Sequence, residues 1–172
     1  MEKPDKYYIE TEKKLSGKDK IKVLETISEI KQTGKAGILP LLFQTIKDNS
    51  HSKISTEIFK LLGQLKDKKC IPYIIDEIQS EGSVDYKTAL LTSCWQSGLD
   101  YSEHIGVFTE QFIEGNFKVS FEAFTVIEEW IYNAKQENIK KCLSNLKHNI
   151  SSISEDKKLL YIDLVKLLES YL

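Results

Sequence analysis

Apolar residues recur along this chain at the three- and four-residue spacing of helices with one buried face, in stretches separated by Gly, Ser, Asn and Asp. The clearest stretch is LLGQLKDKKCIPYIIDEI, Leu61 to Ile78. On its N-terminal side Ile58, Phe59, Leu62 and Leu65 share one helical face, and Gly63 leaves room for a neighbouring backbone. Asp67 offers a side-chain acceptor to the unpaired N–H groups of a following helix, and Pro72 falls in that helix's first turn, where a missing N–H costs little. Ile71, Ile74, Ile75 and Ile78 make a second stripe. The pattern predicts a helix, a tight turn and a second helix, with Leu62, Ile74 and Ile75 in the core.

The same arrangement returns along the chain. A shift of 32 residues lays Leu39, Pro40, Leu42, Phe43 and Ile46 on Ile71, Pro72, Ile74, Ile75 and Ile78, and a shift of 34 lays Ile105, Phe108 and Phe112 on Ile71, Ile74 and Ile78. Recurrence at this spacing marks a repeat architecture, and helix pairs are predicted over residues 17 to 150. In the first pair, Ser16 and Asp19 precede a helix carrying Ile21, Leu24, Ile27 and Ile30. Thr33, Gly34 and Gly37 end it, and its partner opens with Pro40. In the second, Asn49 or Ser50 caps a helix starting near His51, and Glu81, Gly82 and Ser83 make the closing break.

The third pair runs through DYKTALLTSCWQ, a turn at Gly98 to Ser102 and EHIGVFTEQFIEG, with Gly106 at the proline position, so that its second helix is free to start differently. The fourth begins FKVSFEAFTVIEEWIYNA, with Ile127 in the core, turns near Asn133 to Gln136 and carries Ile139, Cys142, Leu143 and Leu146. Residues 1 to 15, anchored by Tyr7, Tyr8, Ile9 and Leu15, read as a capping helix or a frayed tail. Residues 155 to 172 read as a closing helix with Asp163, Lys166, Glu169 and Ser170 on its polar back and an apolar stripe wider than half its circumference.

A small residue late in one helix, a turn aspartate and a proline or aliphatic residue opening the next helix together resemble the HEAT and HEAT-like, armadillo-type α-helical repeats. The resemblance implies an all-α, right-handed α–α superhelix (solenoid): a single domain over residues 1–172, with about four HEAT-like helix pairs and terminal capping helices. It also implies that the second helices line a concave side. Opposite the buried stripes on those helices stand Tyr73, Asp76, Glu77 and Ser80, then Val107, Glu110, Gln111 and Glu114. One residue per pair gives the column Gln44, Asp76, Glu110, Ser144. Tyr73, Asp76, Glu77, Glu110, Gln111 and Glu114 are the partner-binding residues this reading nominates.

Charge gives that face a sign. All 24 basic residues are lysine, and the formal net charge is -2. Residues 1 to 75 hold 15 lysines against 10 acids, residues 76 to 129 hold 2 against 11, and residues 130 to 172 hold 7 against 5. An acidic block therefore lies between basic ends, and 10 of the 17 aromatic residues fall between Tyr86 and Tyr132, in or beside it. Acidic walls steer basic ligands and repel phosphates. Without arginine, bidentate contacts to phosphate or guanine are also missing. A protein partner with a basic segment is expected, and no nucleic acid.

Candidate chemistry is sparse. His51, His104 and His148 lack metal-ligand spacing and read as surface or turn residues. Cys70, Cys94 and Cys142 form no C-x-x-C and read as reduced core residues. No glycine-rich phosphate loop, G-x-S-x-G or H-E-x-x-H is present, so neither catalysis nor a cofactor or metal is expected. The N-terminus is charged where a signal peptide is apolar, and no stretch is long and apolar enough for a membrane span. The expected setting is the cytoplasm, away from membranes.

Two other readings come from different classes. HEAT-like alkylpurine DNA glycosylases use aromatic residues and a carboxylate in a basic groove, which brings Trp95 and Trp130 into view, although they read first as packing residues. A structural subunit could instead assemble through the apolar C-terminal helix, which would make the protein a homodimer rather than a monomer.

Overall fold

Short polar side chains start the helices, because the first N–H groups of a helix have no partner inside it. The computed structural model describes residues 6–50 and 52–172, so His51 and the first five residues of the N-terminal segment lie outside the described residues. Those described form ten α-helices: α1 (Lys6–Leu15), α2 (Lys20–Thr33), α3 (Leu39–Asp48), α4 (Lys53–Leu62), α5 (Ile71–Gln79), α6 (Val84–Ser97), α7 (Ile105–Glu114), α8 (Phe117–Trp130), α9 (Gln136–His148) and α10 (Lys158–Glu169). No strand occurs among them.

Asp19 caps α2 by accepting from the Ile21 and Lys22 N–H groups. Ser83 and Asn116 do the same for α6 and α8. At α4 the cap is Ser52 rather than Asn49 or Ser50: its hydroxyl accepts from the Ser55 N–H while the Ser55 hydroxyl accepts from the Ser52 N–H. This reciprocal arrangement satisfies two orphan donors at once, which neither upstream residue achieves.

Three helices share one kind of entry. Single 3-10 turns at Ala36–Ile38, Lys68–Cys70 and Ser102–His104 lead directly into α3, α5 and α7. Pro40 and Pro72 both stand in the opening turn. Gly106, which was free to change the start of α7, does not move it, since Ile105 still opens the helix. Asp67 acts one step earlier than expected, accepting from the Lys69 N–H of the 3-10 turn rather than from α5 itself. The fourth entry differs: the 3-10 turn at Ile131–Asn133 continues α8, and α9 starts at Gln136.

The helices pack in two rows. In one row α1, α3, α5, α7 and α9 touch in that order; in the other α2, α4, α6, α8 and α10 do. Across the rows the close partners are α1 with α2, α3 with α4, α5 with α6, α7 with α8 and α9 with α10. These pairs straddle the breaks at Glu81–Ser83 and Gly115–Asn116, so the tightest hairpins join the second helix of one predicted pair to the first helix of the next. The reason is link length. Only Gly115 and Asn116 separate α7 from α8, and a Cβ on Gly115 would come within 2.6 Å of both the Gln111 carbonyl oxygen and Val119 Cγ1. At the other end of α6, Gly98 closes the helix in the left-handed conformation, φ 70°.

The buried stripes meet between the rows. Leu62, Ile74, Ile75, Phe108 and Ile127 are all buried. Each such side chain contributes about 1.5–3 kcal/mol relative to leaving it in water. α2 departs from expectation, because Ile21 is 69% exposed and the inward face is Val23, Ile27 and Ile30. Starting the helix at Asp19 fixes that phase, and Ile21, two residues before Val23, then points away from it. The N-terminal segment is helical, with Thr11 and Leu15 buried and α1 packed on α2 and α3, although Ile9 is exposed.

One strong polar tie was not foreseen. Lys157 is 2% exposed, and its ammonium donates to the carbonyl oxygens of Phe112 (2.9 Å), Ile113 (2.9 Å) and Gly115 (2.8 Å). It caps the carbonyl end of α7, the negative end of the helix dipole, and holds the start of α10 there.

Candidate functional site

The column Gln44, Asp76, Glu110, Ser144 is exposed along its length, one residue on each of α3, α5, α7 and α9. These helices are consecutive in one row, and their buried stripes (Ile46, Ile78, Phe112, Leu146) turn the column side outward. Tyr73 is 38% exposed one turn before Asp76 and reaches toward Gly37 at the entry of α3. Between α7 and α9 the surface sinks into a depression of about 480 Å³ bounded by Glu110, Ile113, Glu114, Asn145 and Asn149.

Two nominated residues have other roles. Gln111 is buried, 6% exposed, and its amide oxygen accepts from the Lys87 ammonium at 3.1 Å. It follows Glu110 by 100° around α7, which brings it under α6 rather than out to the face. Glu77 is turned to the seam between α3 and α6, where it pairs with Lys47 at 2.7 Å, accepts from the Tyr86 hydroxyl at 2.7 Å and from Ser80 Oγ at 3.1 Å. Burial, reinforced by the Glu77 hydrogen bond and charge, raises the Tyr86 phenol above its ordinary pKa, so it stays a neutral donor.

Those contacts shape the electrostatics. Lys47 and Lys87 are the lysines on the flanking α3 and α6, and both are committed, to Glu77 and Gln111. Among the described residues Asp76, Glu110 and Glu114 form no ion pair. α5 and α7 thus keep three exposed carboxylates with a tyrosine beside them, while α9 brings the exposed Lys140 one turn before Ser144. Tyr73, Asp76, Glu110 and Glu114 remain as residues of the face. Asn145 and Asn149 were not recognised from sequence; they follow Ile113 and Glu114 only once α9 is placed beside α7.

Elsewhere the reactive side chains are closed in. All three cysteines are free and buried. Burial pushes the Cys70 thiol up to about 11 and the Cys94 thiol up to about 12. Burial also raises the Cys142 thiol, with the Glu110 charge adding to it. None is a thiolate at neutral pH. Trp130 is buried, and the Trp95 indole N–H donates to Glu122 at 2.8 Å, tying α6 to α8. Among the described residues no group of three or more His, Cys, Asp or Glu is placed to hold a metal ion, and no helix is long and apolar enough to cross a membrane. No family model, curated protein or solved structure matches the chain.

Proposed function

We propose that the protein is a non-catalytic, cytoplasmic protein-binding scaffold, a right-handed HEAT-like solenoid whose α5–α7–α9 face receives a Lys- or Arg-rich segment of a partner. The observation that carries the reading is the set of exposed carboxylates Asp76, Glu110 and Glu114 on the neighbouring α5 and α7, without an ion-pair partner among the described residues and beside Lys47 and Lys87, which Glu77 and Gln111 engage. Like charges on one wall add their potentials, which speeds the encounter with a basic ligand more than it tightens the complex. Two rows of helices stacked in order support the solenoid, and three free thiols support a reducing compartment.

The test is a stopped-flow titration of a fluorescent Lys-rich peptide at several ionic strengths. The expected result is association that slows as salt rises. Asp76→Lys combined with Glu110→Lys should remove most of that salt dependence while leaving the unfolding midpoint nearly unchanged, because exposed charges contribute little to folding. Equal rates and equal salt slopes for the parent and the double variant would remove the face from consideration.

A second reading rests on α10. Leu159 is 78% and Ile162 44% exposed on its outer side, beside Asp163 and Lys166. In an antiparallel pair of α10 helices from two copies, Asp163 of each would face Lys166 of the other, with Leu159 and Ile162 covered. Sedimentation equilibrium should then show a dimer that Leu159→Glu dissociates; a parent protein that is monomeric at tens of micromolar ends this reading.

A further inference from the structure

An apolar recess lies at the entry of α3, on a side of that entry lined by none of the acidic-face residues. Where α2 ends, α3 begins and α4 ends, a pocket of about 300 Å³ opens. Its floor is aliphatic: Ile38, Leu39, Leu42 and Leu61, each under 10% exposed, with the half-buried Leu65 at one side. Lys31 and Lys35 stand on the rim. A second depression of about 430 Å³ continues from it along α2 and α4, sharing Lys31, Leu61 and Gln64 and adding Lys53 and Lys60.

The cations around this recess are not equivalent. Lys66 is turned away, donating to the Ser97 carbonyl at 2.6 Å, and Lys60 is paired with Glu57 at 2.8 Å. Lys35 lies over the Tyr7 ring at 5.7 Å. Lys31 is exposed, forms no ion pair among the described residues, adds its charge to that of Lys60 near Glu57, and sits where the two depressions join. Of the acids in the linings, Glu57 is paired with Lys60, and Asp67 accepts from the Lys69 N–H while keeping its charge at the pocket's edge, after α4 rather than on Lys31's helix α2. An ammonium without an ion-pair partner among the described residues thus stands at the mouth of a preformed aliphatic pocket, where a second depression adjoins it.

We propose that this recess binds a small anionic amphiphile, an unbranched aliphatic chain ending in a carboxylate. The tail lies on Ile38, Leu42 and Leu61, and the head meets Lys31. Its volume is at the lower end of small-molecule sites, which are typically mostly apolar with a few polar groups that set orientation. A neutral chain would gain only the floor. A phosphate without an apolar tail would find neither arginine nor a floor suited to it. The pocket is made by α2, α3 and α4 and shares no residue with the acidic face, so this proposal stands or falls independently of the scaffold reading.

The test uses decanoate, with decanol as the uncharged control, in methyl-resolved NMR below the concentration at which either aggregates. Decanoate should shift the Ile38, Leu42 and Leu61 methyls in a saturable way, and decanol should bind roughly fivefold more weakly. Lys31→Glu should bring decanoate down to the decanol level, whereas Lys31→Arg should preserve it. Lys31 is on the surface, so neither variant endangers the fold. The proposal is overturned if decanol binds as well as decanoate, if Lys31→Glu changes nothing, or if the shifts appear at Leu159 and Ile162 on α10 instead of at the pocket floor.

Discussion

The two ends of this stack use the same helix entry and fill it differently. Among the described residues before Cys94 only Ile58 is completely excluded from water, whereas from Cys94 onward Tyr101, Phe108, Phe112, Val126, Ile127, Ile131 and Leu146 all are. The contrast is sharpest at the residue just before each 3-10 turn, which is Lys35 before α3, Asp67 before α5 and Tyr101 before α7. Lys35 and Asp67 are charged, stay exposed and border the aliphatic pocket. Tyr101 is fully buried and meets Phe108 edge-to-face at 5.6 Å. One ring at that position closes the gap that two charged residues leave open. The difference teaches that the entry fixes where the helices go, while the residue ahead of it decides whether a packed seam or a cavity results.

The largest expected effect is at the packed seam. Phe108→Ala removes a fully buried ring from the α7 stripe, and a site this closely surrounded relaxes little around the hole. Chemical denaturation should show a loss of about 3–5 kcal/mol. Leu65→Ala, at the edge of the open pocket, removes a half-buried side chain whose surroundings already include space, and should cost about 1 kcal/mol. Equal losses at the two positions would mean that the ends are packed alike in solution and that the pocket closes.

Much of this contrast is local and was legible in the chain. The stripes through Ile74, Ile75 and Phe108, the prolines in opening turns and the Asp19 cap depend on residues within a turn or two of each other, which is the range over which periodicity and capping speak. What needed the third dimension was the destination of individual side chains. Gln111 and Glu77 share the polar arc with Glu110 and Asp76, yet α6 and α3 supply Lys87 and Lys47 to draw them inward. Ile21 carries an apolar side chain at a position that the Asp19 cap rotates outward. Which consecutive helices pack most tightly depended on link length more than on the order of the stripes. The pocket was not legible at all, because a cavity is made by residues that fail to fill it.

A smaller effect, and one confined to the packed end, is expected from Lys157. Its position in the sequence, among Glu155, Asp156 and Lys158, is that of an ordinary surface lysine, yet its ammonium is buried against three carbonyls and lies 5.6 Å from the centre of the Phe112 ring. Burial lowers its pKa from the ordinary lysine value, while three acceptors and the α7 dipole favour keeping the charge at neutral pH. Lys157→Met keeps much of the aliphatic stem but leaves the Phe112, Ile113 and Gly115 carbonyls without this donor. Ser120 Oγ still donates to the Phe112 carbonyl at 2.7 Å and to that of Gly115 at 3.3 Å, so the Ile113 carbonyl bears most of the loss. A buried acceptor deprived of its donor costs about 1–3 kcal/mol, and a loss near the lower end, about 1 kcal/mol, is expected. The loss should be local: amide hydrogen exchange should accelerate in α10 and at the end of α7, and remain at its parent rate in α2 to α4, which Lys157 does not touch. Lys157→Arg is the sharper control, since its bulkier planar fork cannot meet the same three carbonyls in place of a compact ammonium, and it should recover little of the loss. Exchange that speeds up equally in α2 to α4, or a Lys157→Met variant as stable as the parent, would show that the C-terminal helix is not held by this tie.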